Sequence, residues 1–106
     1  MMATALRLTR RSTHRRHALA CVVVRGGAIL SAAANGSRKG QCAERRALRR
    51  KARYGCFAGA ELYVARSNGL CSKPCGDCQR AIARAGIKSV WYVNANGEMD
   101  MWRVEQ

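Results

Sequence analysis

Five short apolar runs divide the chain, and each has the length and the β-branched or aromatic content that predict a β-strand. The first run covers residues 18–25 and contains Cys21-Val22-Val23-Val24. Gly26-Gly27 follows it directly, and a Gly-Gly pair at this spacing predicts a hairpin turn. The first strand should therefore pair with the second. The predicted strands are residues 18–25, 28–34, 61–67, 89–93 and 98–104.

A second turn separates the last two predicted strands. The segment Asn94-Ala95-Asn96-Gly97 contains an Asn-Gly pair, which is a strong hairpin signal between two strands. The fourth and fifth strands are therefore expected to be antiparallel.

Helical spacing appears in residues 42–53. Ala43, Ala47 and Leu48 form a narrow apolar face of this segment, and arginines occupy the opposite face.

Two further helices are predicted on either side of the central region. Residues 74–85 begin with Pro74, which is favoured at the first helical position, and end before Gly86. Residues 3–17 predict a short basic helix or N-terminal arm whose charged face points to solvent or to phosphate. With 106 residues the chain fits one domain, and helices interleaved with strands predict an α/β sandwich. The inward positions of the helix over residues 74–85 are Cys75, Cys78, Ile82 and Ala85.

The charge of the chain is unevenly distributed. The net charge is +14, and residues 1–53 hold 14 of the 20 Lys and Arg residues but only one acid, Glu44. This asymmetry indicates a polyanionic partner, with single-stranded nucleic acid favoured over an anionic membrane, or else a solvated surface. No apolar run approaches the roughly 20 residues of a membrane span. The predicted nucleic-acid contacts on the second helix are Arg46, Arg49, Arg50 and Arg53.

Six cysteines in a short chain suggest either disulfides or a metal site. No convincing secretory signal is seen, and the cysteine spacing is typical of metal ligands. We therefore expect a reducing, cytoplasmic environment. Cys21, Cys56 and Cys71 are expected to be free thiols, with Cys21 and Cys56 buried.

Three cysteines at two predicted helix starts suggest one Zn²⁺ per chain. Cys75 and Cys78 stand at i and i+3, and Cys42 begins the preceding helix, where unpaired N–H groups favour thiolates. Three protein ligands leave a fourth position open, as in catalytic zinc sites. Glu44 is placed to act as a general base. Arg45, three residues after Cys42, is predicted to donate hydrogen bonds to that sulfur and offset the negative charge of the thiolates.

These residues resemble a known family. Cys42-Ala43-Glu44-Arg45 together with Pro74-Cys75-x-x-Cys78 resembles the zinc-dependent cytidine deaminase superfamily, in its three-cysteine form. The resemblance implies a three-layer α/β/α sandwich with a five-stranded mixed sheet. It also implies hydrolytic deamination of cytosine to uracil, with Glu44 moving the protons, and allows a homo-oligomer. The substrate-binding residues that the resemblance implies are Asn35 and Ala43.

Two features of the family pattern are missing, and several alternatives stay open. Neither an Asn-x-Glu ribose-binding pattern nor a pocket-closing C-terminal helix is recognisable. The Cys75/Cys78 pair is also compatible with a redox site, and Cys71 with a fourth ligand of a structural zinc. We predict a deaminase acting on cytosine in single-stranded DNA or RNA, because a backbone needs positive charge and a free nucleoside does not. The alternatives are a free cytidine, deoxycytidine or nucleotide deaminase and a non-catalytic, zinc-stabilised nucleic-acid-binding module.

Overall fold

The computed structural model describes residues 1–13, 18–36, 42–49, 56–67 and 72–104. Within them, one five-stranded sheet carries helices on both faces. The elements in chain order are α1 (Met2–Leu8), a 3₁₀ turn (Thr9–Arg11), β1 (Leu19–Arg25), β2 (Ala28–Ala34), α2 (Ala43–Arg49), β3 (Glu61–Arg66), α3 (Gly76–Arg84), β4 (Ser89–Val93) and β5 (Met99–Arg103).

The sheet is mixed and has the strand order β2-β1-β3-β4-β5. The β3–β4 pair is parallel, and the other three neighbouring pairs are antiparallel. At the β1–β2 turn, Gly26 and Gly27 have φ values of 60° and 82°, which a tight hairpin turn requires and which glycine adopts without strain. The five predicted strands and the antiparallel pairing of β4 with β5 are confirmed.

Alternating side chains of β1 and β3 divide the interior into two layers. Cys21, Val23 and Leu62 point to the face covered by α2 and α3. Val22 and Ala65 point to the opposite face, which α1 covers. The predicted three-layer α/β/α sandwich is therefore confirmed.

The N-terminal helix is shorter than predicted and is part of the packed structure. It ends at Leu8, where the predicted helix continued to residue 17; residues 14–17 lie outside the described part of the chain. Ala5 is fully buried, and Met2 and Leu8 pack beside it against the sheet. The basic face is solvent-exposed as expected, but the opposite face anchors the helix. Among the described residues, no helix is both long and apolar enough to span a bilayer.

The last helix follows its prediction except at its first turn. Cys78 and Ile82 are buried, whereas Cys75 is the N-cap of α3 and is exposed. Gly86 follows the helix with φ of 84°, and a Cβ there would approach the Cα of Ala58 to 3.1 Å. Only glycine fits this turn without displacing the backbone before β3.

No disulfide joins the described cysteines, and Cys21 and Cys56 are free thiols as predicted. Cys21 is fully buried, but Cys56 is exposed, which corrects the expectation that it is buried. Cys56 precedes β3 in a turn, where its carbonyl accepts a hydrogen bond from Arg25 at 2.9 Å. Cys71 lies outside the described residues.

Substitution of Leu62 should test its place in the core between the sheet and helices α2 and α3. Leu62→Ala removes a fully buried side chain and should lower the free energy of unfolding by about 2–5 kcal/mol. Leu6→Ala, at a position 45% exposed, is the matched control and should change it by less than about 0.5 kcal/mol. Urea unfolding at equal zinc loading measures the free energy of unfolding of both variants, and equal losses would contradict the burial of Leu62.

Candidate active site

Three cysteine sulfurs meet where helices α2 and α3 begin. Cys42 directly precedes α2, Cys75 is the N-cap of α3, and Cys78 lies in the first turn of α3. Their Sγ atoms all lie within 4.8 Å of one another. Tetrahedral zinc with Zn–S bonds of about 2.3 Å places its sulfurs about 3.8 Å apart, so small side-chain adjustments bring the three onto one ion. The donor set therefore fits zinc and leaves one position open.

Three hydrogen bonds hold α2, and with it Cys42, against the β1–β2 hairpin. The Cys21 thiol donates to the carbonyl of Ala43 at 3.2 Å. The Ser31 hydroxyl donates to the carbonyl of Ala47 at 2.8 Å. From the other direction, the guanidinium of Arg46 donates to the carbonyl of Ala34 at 3.1 Å. The start of α2 is thereby fixed relative to the sheet.

The loop before α3 is fixed by one buried serine. The Ser72 hydroxyl donates to the carbonyl of Val64 at 2.8 Å and accepts from the backbone N–H of Val93 at 2.9 Å. It thus joins the carboxyl ends of β3 and β4 and places Pro74 and Cys75 over the edge of the sheet. The parallel β3–β4 pair is what brings these two carboxyl ends together.

Glu44 lies in the same site and is only 6% exposed. Burial raises the pKa of its carboxyl group, and a hydrogen bond with the Cys78 thiol partly offsets this rise. Burial also raises the pKa of the Cys78 thiol, and the negative charge of Glu44 raises it further. In contrast, a hydrogen bond from the backbone N–H of Cys78 lowers the pKa of the Cys75 thiol. A divalent cation would relieve this crowding of negative groups, since the thiolates would become its ligands.

A small pocket opens beside the three sulfurs. The described residues around it enclose about 190 Å³. This volume is below the roughly 300–1,000 Å³ of typical small-molecule sites, so it suits a single planar ring better than a whole nucleotide. The lining residues are Leu19, Asn35, Cys42, Ala43, Glu44, Ser72, Lys73, Pro74, Cys75 and Cys78.

Asn35 and Ala43, the two predicted substrate contacts, both line this pocket. Asn35 is buried, and its Oδ1 accepts hydrogen bonds from the Ser12 hydroxyl and, at 3.0 Å, from the backbone N–H of Leu19. These bonds hold the carboxamide in one orientation at the pocket wall. Their contact with a substrate stays a prediction.

Arg45 and the predicted nucleic-acid contacts have different surroundings. The Arg45 guanidinium lies 3.8 Å from the carboxylate of Asp77, between the two motifs; among the described residues it makes no hydrogen bond to the Cys42 sulfur. Its predicted contact with that sulfur stays a prediction. Arg46 is half-buried and bonded to β2, and Arg49 is exposed on α2. Arg50 and Arg53 lie outside the described residues.

Ser72 and Lys73 are two pocket residues that the sequence did not single out. Both directly precede Pro74-Cys75, so their proximity to a ligand in the chain was the available signal. Lys73 is exposed, and its Nζ lies 5.9 Å from the centre of the Tyr92 ring. It is the cationic side chain among the described lining residues.

Comparisons with known proteins agree with this arrangement. The family model for the cytidine and deoxycytidylate deaminase zinc-binding region matches residues 1–94. No curated protein sequence matched the chain. Among solved structures, the dCMP deaminase of cyanophage S-TIM5 in apo form is 30% identical, with a TM-score of 0.69 over 91% of this chain and 82% of that one. The same phage enzyme in complex with dCMP and dUMP is 29% identical, with a TM-score of 0.73 and the same coverage.

A more distant neighbour shares the fold. The cytidine deaminase of Burkholderia pseudomallei is 18% identical, with a TM-score of 0.73 over 97% of this chain and 89% of that one. At this identity the likeness concerns the architecture alone.

Metal content should separate ligand from non-ligand cysteines. The wild-type protein is expected to bind one zinc per chain. Cys75→Ser removes one of the three predicted ligands. Loss of a residue that only hydrogen-bonds to a ligand lowers metal affinity roughly 10–100-fold, so the zinc affinity of Cys75→Ser should fall by more than that. Cys56→Ser, at an exposed cysteine outside the cluster, should keep wild-type affinity. Competition with a chromogenic chelator measures both, and zinc retained by Cys75→Ser would contradict the assigned ligand set.

Proposed function

Because the chain belongs to the cytidine and deoxycytidylate deaminase family, we propose that it deaminates cytosine carried on a single-stranded polynucleotide, with Glu44 as its proton carrier. The zinc-dependent deaminase activity follows from the family and from the three-cysteine cluster. The polynucleotide is the finer proposal. The excess of positive charge in the half of the chain that holds Glu44 supports it.

The reaction consumes water. A C–O bond forms at the ring carbon that bears the amine, the C–N bond breaks, and ammonia leaves. When bound, zinc supplies Lewis-acid chemistry that makes water a better nucleophile near neutral pH. Cys42, Cys75 and Cys78 would hold it.

Glu44 suits the proton transfers that accompany these bond changes. Its carboxyl group is buried at the wall of the pocket, and its pKa is raised by that burial. A carboxyl whose pKa lies closer to neutrality both accepts and returns a proton more readily than an exposed one. We assign it the transfer from water to the ring nitrogen and to the departing amine.

The size of the pocket bears on what carries the base. A cavity of about 190 Å³ admits the ring, and the sugar and phosphate then lie on the surface beside it. Lys73 lies at that surface and is placed to neutralise one phosphate. A single lysine can neutralise the phosphate of a mononucleotide as well as one phosphate of a polynucleotide. The many other arginines of the chain are therefore what favours the longer substrate.

A mononucleotide is the second candidate, and one observation favours it. The phage enzyme that is 29% identical to this chain was solved in complex with dCMP and dUMP. A free deoxycytidylate would use the same pocket and Lys73 without needing the remaining arginines.

Removal of the Glu44 carboxylate should abolish turnover while leaving the metal in place. Glu44→Gln keeps the size of the side chain, and loss of general acid–base catalysis should lower kcat by about 10²–10⁴-fold. Zinc content should remain one per chain, because Glu44 is outside the sulfur cluster. Glu98→Gln, in an exposed turn, is the charge-matched control and should keep full activity. Wild-type kcat in Glu44→Gln would refute the assigned role.

Salt dependence on a panel of substrates should identify the carrier of the base. Zinc-loaded protein is incubated with deoxycytidine, dCMP and a single-stranded oligonucleotide that contains one cytosine, and the deaminated products are quantified by mass spectrometry. With two phosphate contacts, kcat/KM for the oligonucleotide should fall about sevenfold between 50 and 200 mM salt. Deoxycytidine should show no such fall. Efficient turnover of dCMP with a poor, salt-independent oligonucleotide reaction would instead support the mononucleotide.

A further inference from the structure

A second and larger concavity lies between helices α2 and α3. It encloses about 610 Å³ and begins beside the zinc-ligand cluster, since Arg45 follows Glu44 and Asp77 lies between Cys75 and Cys78. Its floor is apolar and its walls are charged. The groove is lined by Arg45, Leu48, Arg49, Asp77, Arg80, Ala81, Arg84 and Ala85.

The walls of this α2–α3 groove hold four guanidinium groups and a single carboxylate. Asp77 pairs with Arg80 and lies 3.8 Å from Arg45. Neither Arg49 nor Arg84 has an acidic partner within the part of the chain that the structure describes. The groove therefore carries positive charge that its own side chains do not neutralise.

The four arginines form one row on each of the two helices. Arg45 and Arg49 are four residues apart on α2, as Arg80 and Arg84 are on α3, so each row spans about 6 Å along its helix. Like charges at this spacing destabilise a helix, and two such rows facing one groove repel each other as well. The phosphates of a polynucleotide backbone would offset this repulsion. Each guanidinium group can donate two parallel hydrogen bonds to the oxygens of one phosphate.

We infer that the α2–α3 groove binds the phosphate backbone of a single-stranded polynucleotide. The inference deepens the proposed function and rests on it, because it places the backbone of the same substrate whose cytosine enters the pocket. It also changes the set of contacts predicted from the sequence. Arg49 belongs to the groove, but Arg46 is turned to the β1–β2 hairpin, and Arg80 and Arg84 come from the other helix.

Paired charge removals test the groove directly. The double variant Arg49→Gln/Arg84→Gln removes the two groove arginines without an acidic partner. Arg7→Gln/Arg10→Gln removes the same charge from the exposed face near α1, on the opposite side of the sheet. Binding of a fluorescent oligothymidylate to each zinc-loaded protein is followed by anisotropy from 50 to 200 mM salt. A thymine probe keeps the measurement independent of turnover.

The groove variant should lose two phosphate contacts. The slope of log Kd against log salt should fall by about 1.4, so the affinity change across this salt range becomes about sevenfold smaller than in the wild type. The control should keep most of the wild-type slope. Equal losses in both variants would assign binding to net charge and overturn the inference, as would an unchanged slope in the groove variant.

Two further measurements separate this inference from its competitors. Sedimentation of each protein reports its mass; a groove variant that changes the oligomeric state but not oligonucleotide binding would make the groove a contact between copies and overturn the inference. Turnover of a single-stranded oligonucleotide that contains one cytosine, and of deoxycytidine and dCMP, is measured in parallel. Absence of turnover in the wild type refutes the proposed function, whereas normal turnover with groove-independent binding refutes only the groove.

Discussion

The constraint on which the rest of the structure depends is the confinement of three thiols and one carboxyl group to one corner, where Glu44 and Cys78 are buried. Burial raises the pKa of the Glu44 carboxyl group and of the Cys78 thiol. The negative charge of Glu44 raises the pKa of Cys78 further, whereas a hydrogen bond with Cys78 partly offsets the rise at Glu44. Such a cluster is unfavourable as a set of anions and favourable as a cation site. The fold keeps it by placing two helix starts side by side, where backbone N–H groups offset part of the negative charge.

The sheet transmits this constraint through single hydrogen bonds. Cys21 and Ser31 hold the backbone of α2 from below, and Ser72 holds the loop before α3 from the carboxyl ends of β3 and β4. A thiol and two hydroxyls thereby set the separation of the zinc ligands. These side chains lie in a tightly packed layer, so a substitution at any of them should shift the start of α2 or the loop before α3.

Elements with strong local signals were predictable from the sequence, and those made by distant contacts were not. Alternating strands and the Gly26-Gly27 turn are local patterns, and both were correctly interpreted. The cysteine spacing is also a local pattern, and the three sulfurs it singled out lie together in the structure. The burial of Ala5 was missed because the short apolar stripe of Met2, Ala5 and Leu8 is a weak signal beside the arginines that follow it. Ser72 and Lys73 enter the pocket because two strand ends hold their loop, which no spacing along the chain indicates. Likewise, a helical wheel predicts that Arg46 shares a polar face but not that β2 lies against it.

In the proposed function, catalysis and binding of the rest of the substrate use two different parts of the molecule. The pocket has room for a ring and is lined by the three cysteines and Glu44, to which we assign the chemistry. Everything beyond the ring meets the surface, where Lys73 and the arginines of the α2–α3 groove lie. The same catalytic corner would thus serve a nucleotide or a polynucleotide. Asp77 is the one carboxylate that lines the groove, so it offsets only part of the charge of the four arginines. Solubility needs only scattered charges, so we infer that this clustering beside the corner serves a bound phosphodiester backbone.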